Sequence, residues 1–356
     1  MIERKNIEKI LAAGVKAPSG DNSQPWRFEI HGDAIDVYNL PDCDNPILNY
    51  EQRGSYIAHG ALIENMVITA TTFGYSANAV LFPDSHKKTL IARISFTSKT
   101  NQQDPLAAYI DERHTNRRAY EDAPLTAGEI SALSALPALL ESENVASLRF
   151  VFTPKEKIDL ARAASSIEEV VLENRALHEL LFKDVTWTKR QEQTIHRGLY
   201  LAAMEFVPPQ KAIFWLASHW PIMKILNIVG LSRFIAKEDA KLYATGAGFV
   251  AVLLEKTRPA DFILAGRLMQ RLWLTATSLG IFAQPVTALL FAHMRANSDA
   301  PAVFSEKHRA AIETNYATVA RILSVDGKTP AMLLRIGHAE PPSAYSTRKD
   351  PVAIFF

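Results

Sequence analysis

A chain of 356 residues, 48% apolar and 22% charged, can bury a full core as one large domain or two ordinary ones. Its 39 Lys+Arg against 38 Asp+Glu leave a net charge of +1, so overall charge makes no case for a nucleic-acid or acidic-membrane partner. Cys43 is the single cysteine, which excludes an internal disulfide and any multi-thiolate metal or iron–sulfur site and points to a cytoplasmic protein.

The first residues, Met1-Ile-Glu-Arg-Lys-Asn6, lack the apolar run of a secretory signal. The pattern predicts a helix over 6–16, then a polar loop, Ala17-Pro-Ser-Gly-Asp-Asn-Ser-Gln-Pro-Trp-Arg-Phe28. Strands over 26–30 and 34–38 form a hairpin around His31-Gly32-Asp33. A long helix covers 55–73, with strands at 77–82 and 88–96. Thr126 with Glu129 three residues later makes a capping box for a helix over 126–136. Helices dominate from 155 to 280, and a strand spans 332–336. The apolar stretch 212–231 is interrupted by His219, Pro221, Lys224 and Asn227, which suits a buried helix pair or a lid, not a membrane span. The hairpins imply antiparallel pairing, so the fold class is α+β. No strand followed by Gly-x-Gly-x-x-Gly occurs, and Thr245-Gly-Ala-Gly248 reads as close helix packing.

Three segments recur. Gly60 to Ala77 resembles Gly266 to Ala283 at an offset of 206, through Thr69/Thr275 and Gly74/Gly280. Asn22-Ser-Gln-Pro-Trp-Arg27-Phe28 echoes Asn144-Val-Ala-Ser-Leu-Arg149-Phe150 at 122, and Leu90 to Ile94 echoes Met332 to Ile336 at 242. Their shared order indicates an internal duplication. Residues 1–105 are the minimal copy and 106–356 the elaborated one. The growing offset puts added segments at about 153–240, a helical layer or lid, and at about 288–328.

Ser19 to Gln24 offers hydroxyls and amides of both donor and acceptor type, which suits the edge of a heteroaromatic ring. The same residues also make an ordinary helix end with an Asx turn. Arg113, Thr115 and Arg117 stand at i, i+2 and i+4, so an extended segment projects two guanidinium groups and a hydroxyl from one face. That is a phosphate clamp, or else a solvated basic patch. Ser346-Thr-Arg348-Lys349 closes the same site or is a solvated tail. The histidines do not cluster, and His178-Glu179 lacks the second His of a zinc motif, so no metal site is expected. Trp187, Trp215 and Trp220 read as core, with a place in a substrate pocket as the alternative for one of them.

The loop 17–28 resembles that of the FMN-dependent nitroreductase family, and Arg113-His-Thr-Asn-Arg117 resembles its flavin-binding arm. Gly266 to Gly280 with Ala283-Gln-Pro-Val-Thr287 resembles its core helix and the loop beneath the flavin. Arg335-Ile-Gly-His followed by Ser346-Thr-Arg348 resembles its closing strand and phosphate-binding tail. With a complete loop in one copy and a complete arm in the other, the chain resembles the fused, pseudo-dimeric Acg-like branch. The resemblance implies one FMN per chain. Arg113, His114, Thr115, Arg117 and Arg348 would lie on its phosphate, ribityl and N1/O2 side. Ser19, Asn22 and Gln24 would reach across, and Gln284, Pro285, Val286 and Thr287 would address N5/O4 with backbone N–H groups. Catalytic residues stay unassigned, since the flavin carries the redox chemistry. The implied function is NAD(P)H-dependent ping-pong reduction of nitro or quinone-type small molecules by a pseudo-dimeric monomer, with a further homodimer as the alternative, without nucleic acid or membrane. A non-catalytic flavin-sequestering protein and an FMN-dependent oxidase or desaturase are the alternatives.

Overall fold

A computed structural model describes residues 2–99, 102–139 and 145–356; Asn144, which opens the second echo, lies outside them. Helix α1 (Arg4–Gly14) buries Ile7, Ile10 and Leu11, the three-four spacing of one helix face. Strands β1 (Trp26–His31) and β2 (Ala34–Asn39) turn through Gly32, whose φ of +58° suits the absence of a Cβ. Helix α2 (Arg53–Thr72) is buried along most of its length and runs on to β3 (Tyr75–Leu81) and β4 (Leu90–Lys99).

The second half repeats that plan with additions. Helix α3 (Ala127–Ser134) starts at the predicted capping box, Thr126 with Glu129, and α4 (Leu136–Leu139) leads to β5 (Ala146–Val151). An accessory layer follows: α5 (Pro154–Glu173), α6 (Arg175–Lys183), β6 (Val185–Thr186), α7 (Lys189–Ile195), β7 (Leu199–Tyr200), α8 (Pro208–Ala217), α9 (Trp220–Ile228) and α10 (Leu231–Tyr243). The core resumes with β8 (Gly248–Leu254), α11 (Pro259–Ser278) and β9 (Phe282–Pro285), then α12 (Ala288–Ala296), α13 (Glu306–Leu323), β10 (Thr329–Gly337) and β11 (Ala353–Phe355). Among the described residues no helix is long and apolar enough to cross a membrane.

Helices dominate 155–280, with β6, β7 and β8 between them. One expectation needs correction here. Gly248 opens β8, a strand buried at all seven positions, so Thr245-Gly-Ala-Gly248 is a helix-to-strand junction. A strand covered on both faces has no alternating pattern, which is why periodicity missed it. A Cβ at Gly248 would stand 2.3 Å from the Val151 carbonyl oxygen, so the glycine serves strand packing.

Strand order is β11-β1-β2-β4-β3 in one sheet and β5-β8-β10-β9 in the other, every pair antiparallel except β11 with β1. The rung Phe28–Val37–Ala92 in the first answers Phe150–Val250–Leu334 in the second, the offsets of 122 and 242 read from sequence. The accessory layer therefore occupies the place of the two-residue turn between β1 and β2. Helices α2 and α11 have the same length and corresponding ends, 206 residues apart, and they cross at Gly60 and Gly266. A Cβ on Gly60 would stand 2.0 Å from the Ile263 carbonyl oxygen, and one on Gly266 2.0 Å from that of Ile57. The two contacts exchange under the offset, so the crossing is a pseudo-two-fold axis. Around it Ile57, Leu62, Ile263, Leu268 and Trp273 are almost fully buried, each aliphatic side chain contributing about 1.5–3 kcal/mol. The end of the chain returns to the first half: β11 pairs parallel with β1, Phe28 opposite Ala353.

Candidate active site

A cavity of about 380 Å³ lies where the loop after α1, the arm at 113–117, the start of α12, the accessory layer and the C-terminal tail converge. All the residues expected at the site line it except Gln24: Ser19 and Asn22 from the loop; Arg113, His114, Thr115 and Arg117 from the arm; Gln284, Pro285, Val286 and Thr287 after α11; and Arg348.

The loop is held in an unusual backbone. Asp21, Asn22 and Gln24 have φ of 46°, 55° and 52°, a region open to Asp and Asn at some cost and less so to Gln. Gln24 accounts for its own case. Its amide nitrogen donates to the carbonyl oxygens of Asn22 (3.2 Å) and His196 (2.6 Å), and its oxygen accepts from the Lys349 N–H at 2.9 Å. It is a tie between loop, α7 and tail, turned away from the cavity; the expectation that it lines the site is corrected. Asn22 Nδ2 donates to the Thr347 carbonyl at 3.0 Å, while its Oδ1 is buried without a partner. The tail is fixed in turn by buried Glu192, whose Oε1 accepts from the Thr347 N–H (2.6 Å) and hydroxyl (2.9 Å).

The arm is extended, as its alternation requires. Thr115 bridges Ala283 of β9, and Arg113, His114, Thr115 and Arg117 line the cavity while Asn116 is buried elsewhere and donates to the Glu340 carbonyl at 2.9 Å. Arg113 is buried, stacks over the Trp273 ring at 4.5 Å, donates from Nη2 to the Lys16 carbonyl at 3.0 Å, and leaves Nε buried without a partner. Among the described residues, neither Arg113 nor Arg348 has a carboxylate within ion-pair distance. Burial, and then the neighbouring Arg348, pulls the Arg113 guanidinium down to about 9. Burial pulls Arg348 to about 10, with Glu192 opposing. His114 tilts against the Tyr345 ring at 4.1 Å, and burial followed by the Arg113 charge lowers it to about 4, so it is neutral at pH 7.

The backbone donors expected over 284–287 are fewer than four. Pro285 has none, and the Val286 N–H is taken by the Leu333 carbonyl at 2.8 Å. Thr287 is the N-cap residue of α12, whose positive end therefore begins at the cavity wall. Arg335, fully buried in β10, organises the neighbourhood. Its Nε donates to Gln284 Oε1 (2.8 Å), Nη1 to the Leu242 carbonyl (2.6 Å) and Nη2 to the Arg118 carbonyl (2.5 Å), with the Tyr120 ring 4.0 Å beneath. One guanidinium thus locks β9, α10 and the arm together. The sequence marked Arg335 only as part of a closing strand.

The accessory layer adds groups that sequence reasoning missed. Glu168 on α5 and Tyr243 on α10 line the same cavity, as does Asp21 of the loop. Enclosure by protein, then the charges of Asp239 and Asp21, raises the Glu168 carboxyl to about 8. Burial lifts Asp239 to about 6 and holds the Tyr243 phenol well above its ordinary value. No spacing rule points to Glu168, since Glu168-Glu169 on α5 reads as an ordinary helix surface. Of the tryptophans, Trp187 and Trp220 pack among Phe182, His178 and Phe214. Trp215, expected in the core, is 54% exposed, and it is Trp273 that lines the cavity. His178 Nε2 bonds the Ala217 carbonyl at 2.7 Å. No group of metal-ligating side chains occurs among the described residues.

No family model matches the chain. Over 339 residues it is 25% identical to the Mycobacterium tuberculosis protein named "Putative NAD(P)H nitroreductase Rv3131", covering 95% of this chain and 86% of that one. It is 21% identical over 354 residues to "Uncharacterized protein MT1398" of the same species, covering 98% of this chain and 48% of that one. Among solved structures it is similar to the FMN-dependent nitroreductase NfnB from Mycobacterium smegmatis in complex with NADPH, with 14% identity and a TM-score of 0.39 over 66% of this chain and 88% of that one. A second, described as "a putative nitroreductase" from Anabaena variabilis, gives 11% identity and a TM-score of 0.44 over 86% and 69%.

Proposed function

We propose that this chain is an FMN-dependent oxidoreductase that takes electrons from NAD(P)H and passes them to a small nitro or quinone-type acceptor. The observation that carries the reading is the pair of enclosed guanidinium groups, Arg113 and Arg348, which lack a carboxylate and leave one buried Nε unused. A terminal phosphate supplies the missing counter-charge through charge-assisted hydrogen bonds. The orphaned Asn22 Oδ1 suits a polar ring edge, and Trp273, Met269, Met332 and Pro285 offer apolar walls to a flat ring. A relative named for NAD(P)H nitroreduction over 95% of the chain supports the donor.

When bound, the flavin supplies two-electron hydride chemistry. The chain's own residues bind, orient and exclude water. Arg113 and Arg348 would hold the phosphate, Thr115 and Arg117 would lie toward the ribityl chain, and Ser19 and Asn22 would reach from the other half of the duplication. Arg117 and the N-terminus of α12 at Thr287 would supply positive potential to the reduced ring. Leu177, Leu181, Leu199 and Met204 of the accessory layer add apolar wall to the cavity. In this reading residues 1–105 and 106–356 are two nitroreductase-like halves that build one site.

The test is spectroscopic. The purified full chain is titrated with FMN and then with NADH or NADPH without oxygen. One FMN per chain, with its visible absorption bleached by either nucleotide and restored by a nitro or quinone acceptor, is the expected result. Flavin that stays oxidised under both nucleotides would sink the reductase reading and leave a flavin-holding protein.

A further inference from the structure

The accessory helices carry a surface that the cavity does not explain. From 206 to 237 there is no Asp or Glu, while Lys211, Lys224, Arg233 and Lys237 are present. Helix α9 turns Trp220, Met223 and Leu226 inward, with Met223 fully buried. Its other face is equally apolar and bare: Ile225 is 65%, Ile228 83% and Val229 78% exposed. An exposed apolar cluster of this kind marks an interaction surface. The neighbouring helices extend the patch with Ile213, Trp215 and Leu216 on α8 and Phe234 on α10, all exposed. Helix α9 packs against both of them.

We propose that the outer faces of α8, α9 and α10 form a docking surface for an anionic lipid bilayer. Arg233 is paired with Glu169 of α5 at 3.2 Å, which leaves the exposed Lys211, Lys224 and Lys237 as the cations of the rim. An apolar face with a tryptophan and such a rim is the composition of a segment that lies in the headgroup region without crossing it. The near-zero net charge of the whole chain hides this, since the local excess is offset by acids elsewhere. Charge also argues against a second copy of the chain as the occupant. An isologous contact would set Lys211, Lys224 and Lys237 against their own images in a desolvated interface. The proposal stands whether or not the cavity takes a flavin.

The test is co-sedimentation of the full chain with vesicles of phosphatidylcholine alone and of phosphatidylcholine with an equal part of phosphatidylglycerol. Binding to the anionic vesicles, at least roughly tenfold weaker on neutral ones and weakened by salt, is expected. Ile228→Ser with Val229→Ser, and separately Lys224→Glu, should each reduce that binding by about tenfold while leaving thermal unfolding unchanged, because these side chains are exposed. Should the serine variant fold poorly, Lys224→Glu alone carries the test. No binding to anionic vesicles overturns the proposal, as does binding that both variants leave intact. A dimer in sedimentation velocity that the serine variant dissolves, without vesicle binding, assigns the patch to a second copy instead.

Discussion

Arg113 is a charge placed where the fold by itself gives it little. Burial and Arg348 both penalise its charged form, and one nitrogen goes unused. Arg113→Met keeps the stem over Trp273 and removes that penalty. We expect FMN affinity to fall about ten- to a hundredfold, the equivalent of about 1.5–3 kcal/mol for hydrogen bonds to a charged group, in an equilibrium flavin titration. The flavin-free variant should melt no lower than the parent; a large loss of Tm would make Arg113 structural. Glu168, also in the cavity lining, behaves oppositely. Its folded-state pKa, raised to about 8 mainly by burial, lies above its ordinary value, so the native state holds the proton more tightly than the unfolded chain. Stability is full below the ordinary carboxylate pKa and falls as pH rises toward the folded value. Glu168→Gln should therefore melt progressively higher than the parent as pH goes from about 5 to about 8. A Tm difference that does not change with pH would show that the carboxyl is ionised throughout.

Among the elements, α2 and α11 set the geometry of everything else. Gly60→Ala and Gly266→Ala each put a methyl 2.0 Å from a carbonyl oxygen of the facing helix, which only a shift of one helix can relieve. Each should cost about 3 kcal/mol or more in urea unfolding, and by the pseudo-two-fold the two costs should be alike. Gly128→Ala in α3, where a Cβ meets nothing within 4 Å, is the control and should be neutral or slightly stabilising. The duplication is equally visible in polar pairs across this crossing. Glu64 Oε1 accepts from Arg271 Nε at 2.7 Å, and at the positions exchanged by the offset Gln270 Nε2 donates to Asn65 Oδ1 at 2.7 Å. One side kept a charge pair and the other an amide pair, which the helix repeat predicts by position and leaves open by chemistry. The helix and strand echoes were legible because each copy buries the same face against its twin. The junction at Gly248 was not, because a strand buried on both sides has no period to read.

For the whole molecule, the tail is the part that joins the halves. It carries Arg348 to the cavity, hangs Thr347 on Glu192, and ends as β11 on the edge of β1. Truncation before Val352 removes only the strand; we expect a lower Tm with FMN affinity kept within about threefold. Truncation before Ser346 also removes Arg348 and should abolish tight flavin binding in the same titration. Equal affinities for the two truncations would remove Arg348 from the site. The sequence by itself determined the duplicated α+β plan, its offsets, and the loop, arm and tail segments that contribute to the cavity, because local periodicity and internal repetition are written in neighbouring residues. It could not assign Gln24 to the tail, Arg335 to its three carbonyl and amide partners, or Glu168 to the cavity lining. Those roles depend on which distant segments meet: Gln24 and Lys349 are 325 residues apart, and Arg335 and Arg118 are 217 apart. Only the tertiary structure brings such groups out of water together, and burial in company decides which charges stay unpaired and which acids keep their protons.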